Sequence, residues 1–208
     1  MEISVNGKTL KLQPHQVEHF ERIKNILLKN HCYIDLSETG LGKTYIVMAI
    51  AMTFGFRLLV ICPVIMISVW KKIAEEYGVS FIKINTERKD DAEDGILSYE
   101  SLRSTKNHQP KHGLLSRSED ANGVSNFSAT EKFTQIAKEG IFVVFDEVQK
   151  IKNSSDQYKA CKTIAETCLE VGNQTRFALL SAMPVDKEIQ IINIASSYSY
   201  DHTNINWF

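Results

Sequence analysis

The sequence carries no excess of either charge: 24 Lys and Arg stand against 25 Asp and Glu, a formal net charge of -1 over 208 residues. Bulk charge therefore argues neither for nor against a polyanion partner, because contacts to a phosphate backbone can rest on local groups. Cysteine is scarce, and Cys32, Cys62, Cys161 and Cys168 form no CxxC pair. That spacing points away from a thiolate metal site and toward reduced, packed thiols of an intracellular protein. No basic and apolar leader opens the chain, so no secretory signal is expected. The longest apolar run, Leu58 to Trp70, is broken by Pro63 and falls short of the roughly 20 residues a membrane helix needs. No membrane partner is expected, and no internal repeat is visible.

What is present is the composition of a globular domain, 43% hydrophobic and 24% charged. A chain of this length suits one α/β domain, since single domains commonly run to about 200 residues. "ISVNGKTLKL" alternates around Asn6-Gly7 and predicts a hairpin within residues 1–12, an appendage to the core. After Pro14, the spacing of Val17, Phe20, Ile23, Ile26 and Leu27 predicts an amphipathic helix. Beyond it, "CYIDL", "RLLVICP", "SFIKIN", "GILSYE", "IFVVFDE" and "RFALLSA" read as strands. "KTYIVMAIAMTF", "IMISVWKKIAEEYG", "DQYKACKTIAETCLEV" and "DKEIQIINIASSY" read as helices. Such alternation predicts a mostly parallel central sheet with helices on both faces. Residues 104–130 lack periodic apolar positions and are expected to form a flexible polar insertion.

The stretch "SETGLGKT" combines small, flexible residues with a lysine and a threonine at the start of an apolar helix. The phosphate-binding pattern GxxxxGK[ST] needs that freedom so that backbone N–H groups can turn inward at phosphate oxygens, backed by a helix amino terminus. Thr39, Gly40, Leu41, Gly42, Lys43 and Thr44 form the candidate loop, with Ser37 where the first glycine usually stands. Lys43 would reach the β and γ phosphates of ATP, and the Thr44 hydroxyl would hold Mg²⁺. Taken alone, the segment also fits a glycine-bearing strand-to-helix turn with an exposed lysine. A second motif, "IFVVFDEVQKIKN", sets Asp146 and Glu147 at the end of an apolar strand, where open α/β sheets place ligands. Two adjacent carboxylates facing a phosphate site imply a cation: Asp146 as the Mg²⁺ group, Glu147 as the group that activates water.

At these residues the chain resembles the superfamily 2 helicases and translocases, and within them the Swi/Snf-type DNA-dependent ATPases. The resemblance is to the first of two RecA-like P-loop lobes and runs from about Leu12 to Tyr198. "LQPHQ" is similar to the segment in which a glutamine, here Gln16, reads adenine; "SETGLGKT" resembles "DEMGLGKT". "LLVICPVIMISVWKKI", with Pro63 and Trp70, is similar to motif Ia, and "ILSYESL" resembles "ITSYELL". "DEVQKIKN" resembles "DEAHRIKN" with Gln149 in place of histidine. "RFALLSAMPV" is similar to "RLLLTGTPI", with Ser181-Ala182-Met183 where threonine, glycine and threonine are usual, a segment that reads "SAT" in other branches.

The resemblance implies ATP and Mg²⁺ as cofactors and a nucleic-acid partner, preferentially double-stranded DNA. Contacts would come through the segments around Pro63, Ser98, Tyr99, Gln149, Ser181 and Ala182. Lys71, Lys72, Lys150 and Lys152 are the nearest basic candidates, equally readable as solvated helix faces. In the polar insertion, Lys106, His108, Lys111, His112 and Arg117 could touch a duplex, although disorder fits that composition better. Trp70, Phe20, Phe54, Phe142 and Phe145 sit at core spacing, and neither His15 with His19 nor His108 with His112 has the further ligands a metal needs. Nothing in the 208 residues matches the family's second lobe, whose arginines stabilise the transition state, so the lobe by itself is expected to turn over ATP slowly or not at all. The rivals are a non-catalytic, nucleotide-responsive platform and an RNA helicase lobe.

Overall fold

A computed structural model describes residues 1–84, 93–103, 109–151, 155–171 and 174–182. The helix expected over "DKEIQIINIASSY", together with Met183, Lys106, His108 and Lys152, lies outside them. Strands β1 (Glu2–Val5) and β2 (Lys8–Lys11) pair as the hairpin expected around Asn6-Gly7. Helix α1 (Pro14–Lys29) follows, with proline at its start, where a missing N–H does no harm. Strand β3 (Cys32–Asp35) leads through the glycine loop into α2 (Lys43–Phe54), which Gly55 ends in a left-handed conformation. Strand β4 (Leu58–Cys62) is followed by a 3₁₀ turn, Val64–Met66, and α3 (Ile67–Tyr77). Next come β5 (Lys83–Ile84), β6 (Glu93–Asp94), β7 (Ile96–Ser98) and α4 (Tyr99–Arg103). Then follow β8 (Leu115–Glu119), β9 (Ser125–Ala129), α5 (Glu131–Lys138), β10 (Phe142–Asp146), a 3₁₀ turn over Val148–Lys150, α6 (Asp156–Val171) and β11 (Arg176–Leu180).

The central sheet has the order β3-β11-β10-β4-β7, and all four pairings are parallel. Alternation along each strand feeds two cores. Leu59, Ile61, Val143, Phe145, Phe177 and Leu179 pack on the face that carries Phe133 of α5 and Ile164 of α6. Leu58, Val60, Phe142, Val144, Ala178 and Leu180 pack on the face that carries Phe20 of α1, Ile46 of α2 and Trp70 of α3. Each such large side chain contributes about 1.5–3 kcal/mol on burial, which is why these continuous apolar runs adopt the middle of a parallel sheet.

Three segments depart from the expectation. In the described part of "SFIKIN", Phe81 makes a single parallel bridge to Leu58 of β4, and the strand is the two-residue β5, which pairs antiparallel with β6 outside the central sheet. Helix α5 went unread, although Thr130 caps it by accepting from Phe133 N. The polar insertion expected to be flexible contains, in its described part, the β8-β9 hairpin, turned through Asp120 to Val124 and packed on α6. Its anchor is Arg117, whose side chain is only 4% exposed. The Arg117 guanidinium donates to Ser125 Oγ (2.6 Å), Glu119 Oε1 (3.1 Å) and Asp156 Oδ2 (3.3 Å). His112 is buried too, between Leu102 O and Leu114 N. Arg117 and His112 are therefore tertiary anchors and not duplex contacts.

Candidate functional site

Because every strand of the central sheet runs the same way, the segments after β3, β4, β7, β10 and β11 emerge along one edge, the carboxyl edge. In that row Asp35 lies beside Leu180, and Leu180 beside Asp146. The glycine loop, both acids and Ser181 thus share one side of the molecule.

Within the loop, Gly40 and Gly42 adopt φ of +87° and +85°, a region open to glycine and strained for other residues. At Gly42 the need is double, because a Cβ there would sit 2.0 Å from Gln16 Nε2. The Gln16 side chain is buried against the loop, donating to Leu41 O (3.2 Å) and accepting from Gln13 N (2.9 Å). It therefore fastens the amino terminus of α1 to the loop. Helix α2 begins with no capping side chain and no acid in its first turn, so its first N–H groups lack a side-chain partner at the loop. Lys43 Nζ donates to the loop carbonyls of Ser37 and Glu38 (3.0 Å to the latter), while Thr39, Gly40 and Leu41 are exposed and Thr44 is half-buried. An uncapped helix start, freely turning glycines, one ammonium and a hydroxyl make a donor set suited to a polyphosphate.

Asp146 is buried, and burial pushes its carboxyl above the usual range; the hydrogen bonds from Trp70 and the Glu147 backbone and the Lys43 charge work the other way, and the Glu147 charge adds to the rise. That Lys43 influences Asp146 at all puts the loop and the acidic pair in one electrostatic neighbourhood. Trp70 Nε1 donates to Asp146 Oδ2 at 2.9 Å, and Tyr99 Oη donates to Asp146 O at 2.8 Å. Glu147 stands in the left-handed region, φ +56° and ψ +49°, a conformation costing a non-glycine residue roughly 1–2 kcal/mol. The turn re-aims the chain as it leaves the sheet. Glu147 Oε2 then accepts from Gln149 Nε2, and Gln149 Oε1 accepts from Ser181 Oγ at 2.8 Å. Ser181 N in turn donates to Asp35 O at 3.0 Å. A continuous chain of hydrogen bonds thus joins the acid after β10, the end of β11 and the strand before the glycine loop.

Asp35 went unread in the sequence. It is buried, its Oδ1 accepts from Ser37 N (3.0 Å), and its Oδ2 faces His19 Nε2 at 2.8 Å. Burial alone would raise its pKa, yet the bonds from His19 and Ser37 hold it below the usual range. Arg22, which can only donate, lies 3.0 Å from His19 Nδ1, so that nitrogen accepts and Nε2 carries the proton toward Asp35. His19 is thus a partner of Asp35, and among the described residues no cluster of three or more His, Cys, Asp or Glu could hold a metal.

Of the remaining expected site residues, Pro63 is buried while Val64 and Ile65 beside it are exposed at 61% and 78%. Ser98 is buried, its Oγ accepting from Ser101 N at the start of α4, and Tyr99 is 3% exposed. Both side chains point inward. Ala182 is half-buried beside Ser181. Lys71 and Lys72 are exposed.

No family model matches the chain. A relative in Acanthamoeba polyphaga mimivirus, "Putative ATP-dependent RNA helicase L364", is 28% identical over 155 residues, covering 73% of this chain and 27% of its own length. The SWI2/SNF2 ATPase core of Sulfolobus solfataricus in complex with dsDNA superposes with a TM-score of 0.53 at 20% identity, over 91% of this chain and 36% of that one. The DUF1998 helicase MrfA gives 0.55 at 14% identity, over 89% and 29%.

The fold is RecA-like, the fold of helicase and SWI2/SNF2 ATPase lobes.

The lobe agrees in architecture with the expectation drawn from its motifs, a parallel sheet clothed on both faces. It spans about a quarter to a third of the length of these relatives.

Proposed function

We propose that the chain is the ATP-binding lobe of a nucleic-acid-dependent ATPase that couples ATP hydrolysis to movement on double-stranded DNA. The observation that carries the reading is the shared carboxyl edge: an uncapped α2 with Lys43 on one strand's exit, and Asp146 with Glu147 on another's. Loop residues 39–44 would hold the phosphates through main-chain N–H groups, Lys43 would leave its two loop carbonyls for the β and γ phosphates, and Gln16 would meet the adenine. Thr44 and Asp146 are the residues that would hold Mg²⁺, which supplies charge neutralisation on the phosphates when bound. A buried carboxyl whose ionisation is disfavoured suits that role, since a cation relieves the penalty. Glu147 would accept the proton of the attacking water while Gln149 holds its other side, and Ser181 and Ala182 would relay the nucleotide state to the nucleic-acid grip. A second lobe, from the same polypeptide or another, would supply the arginine that completes the site, so this lobe by itself should be weakly active. The free thiols and the lack, among the described residues, of a helix able to cross a membrane are compatible with an intracellular site of action.

The test is ATP turnover of the full-length protein with and without duplex DNA, alongside Glu147→Gln. The variant should bind nucleotide and lose roughly 10²–10⁴-fold in turnover, the usual contribution of a general base. The name of the mimivirus relative favours a second reading, an RNA-dependent enzyme. Stimulation by duplex RNA and not by DNA selects it; stimulation by neither removes the motor and leaves the platform.

A further inference from the structure

Helix α2 keeps Ile46 to Met52 buried, and from Lys43 to Met52 a single residue is exposed, Tyr45. It is an aromatic, 37% exposed, directly after Lys43 and Thr44. The first intrahelical bond of α2 runs from Ile46 N to Gly42 O (3.1 Å), so the Tyr45 N–H belongs to the unsatisfied donors at the loop. Its ring is placed by two neighbours. Tyr45 Cδ2 lies 3.7 Å from the point where a Gly42 Cβ would stand, and Gln16 Nε2 lies 2.0 Å from the same point. The amide expected to meet adenine and the exposed ring thus flank one glycine. Tyr77, at the end of α3, meets the ring at 74° with centroids 6.1 Å apart, an edge contact that limits its rotation. The core does not require an aromatic at position 45, since the buried residues of α2 begin at Ile46.

Resting on the proposed function, we infer that Tyr45 is a specificity-determining residue for the nucleotide: its ring packs on the face of the purine base whose edge Gln16 meets, braced by Tyr77. A triphosphate held on residues 39–44 with its base at Gln16 must pass Gly42, and the Tyr45 ring is the aromatic surface beside that path. Stacking depends on the π-face and not on the phenol oxygen, and the larger ring system of a purine gains more from it than a pyrimidine does. Tyr45 therefore acts on the base alone, while the loop and Lys43 act on the phosphates.

The experiment uses the full-length protein with Tyr45→Ala, Tyr45→Phe and Tyr45→Leu, and titration calorimetry with ATP, UTP and inorganic tripolyphosphate in the presence of Mg²⁺. Expected in Tyr45→Ala are a loss of ATP affinity of about 5- to 100-fold, the usual value of one base on an aromatic ring, and a tripolyphosphate affinity within about twofold of wild type. The preference for ATP over UTP should narrow in the same variant, and Tyr45→Phe should keep both the affinity and the preference. A Tyr45→Ala protein that binds ATP as the wild type does, or that loses ATP and tripolyphosphate alike, overturns the inference; the second result would make the ring a support of the loop. If Tyr45→Ala does not fold, Tyr45→Leu, which keeps apolar bulk without a π-face, decides by the same comparison of ATP with tripolyphosphate. A wild-type protein that binds neither compound overturns the proposed function itself, an outcome distinct from a wild type that binds both beside an unaffected variant.

Discussion

Replacing Gly42 with alanine tests the most crowded point of the glycine loop. Alanine at φ +85° costs roughly 1–2 kcal/mol in backbone strain. Its methyl would also fall 2.0 Å from Gln16 Nε2 and 3.3 Å from Cδ, so the amide must move. Moving it breaks the bond to Leu41 O and disturbs that from Gln13 N, each with a net value of about 0.5–1.5 kcal/mol. The sum is roughly 2–4 kcal/mol, or about 4–16 °C in Tm for a chain of this size, at about 2–4 °C per kcal/mol. In a Gln16→Ala background the collision and both bonds are already gone, so Gly42→Ala should cost only the backbone part. Thermal unfolding of the four proteins of this double-mutant cycle, without nucleotide, should therefore give a coupling of about 1–2 kcal/mol. Equal losses in both backgrounds would show that Gln16 does not lie on Gly42, and the reading of the loop as fastened by α1 would fall.

Asp146→Asn should raise Tm near neutral pH while abolishing turnover. The folded state holds this carboxyl's proton more tightly than the unfolded chain, so stability declines as pH rises above about 3.8 through the folded value, and the asparagine avoids that loss. Asp35→Asn should do the reverse. Its depressed pKa contributes stability present above about 3.8 and lost as pH falls through the folded value, so the variant should be less stable at pH 7, with the gap in Tm narrowing as pH falls below about 3.8. Arg117→Ala should free the β8-β9 hairpin at a cost of about 1–3 kcal/mol, discounted for its partly exposed acid partners, with faster hydrogen exchange over residues 115–129 and not in β10.

The strands of the central sheet were legible because burial on both faces demands unbroken apolar runs, as in "LLVIC" and "FVVFD", and few other structures use them. The bounds of α2 could be read from Lys43 to Gly55 for the same local reasons. What escaped depends on partners distant in sequence. The β8-β9 strands are rich in serine and gain their place from Arg117 meeting Asp156 across α6; their one local sign was Asn122-Gly123 between alternating stretches. Trp70 could be assigned to the core by spacing, but the direction of its N–H is set by a strand 76 residues on. Asp35 looked like the end of a strand until α1 supplied His19. The glycine loop and acidic pair were visible as residue types, and the hydrogen bonds linking them were not.

The strand ending at Asp35, which feeds the glycine loop, and the strand ending at Asp146 are not neighbours; β11 is interleaved between them along its full length. The glycine loop and the acidic pair therefore cannot change their separation independently of that intervening ribbon. Any spreading between them must shear β11, and Ser181 at its tip is where such a displacement would first be felt.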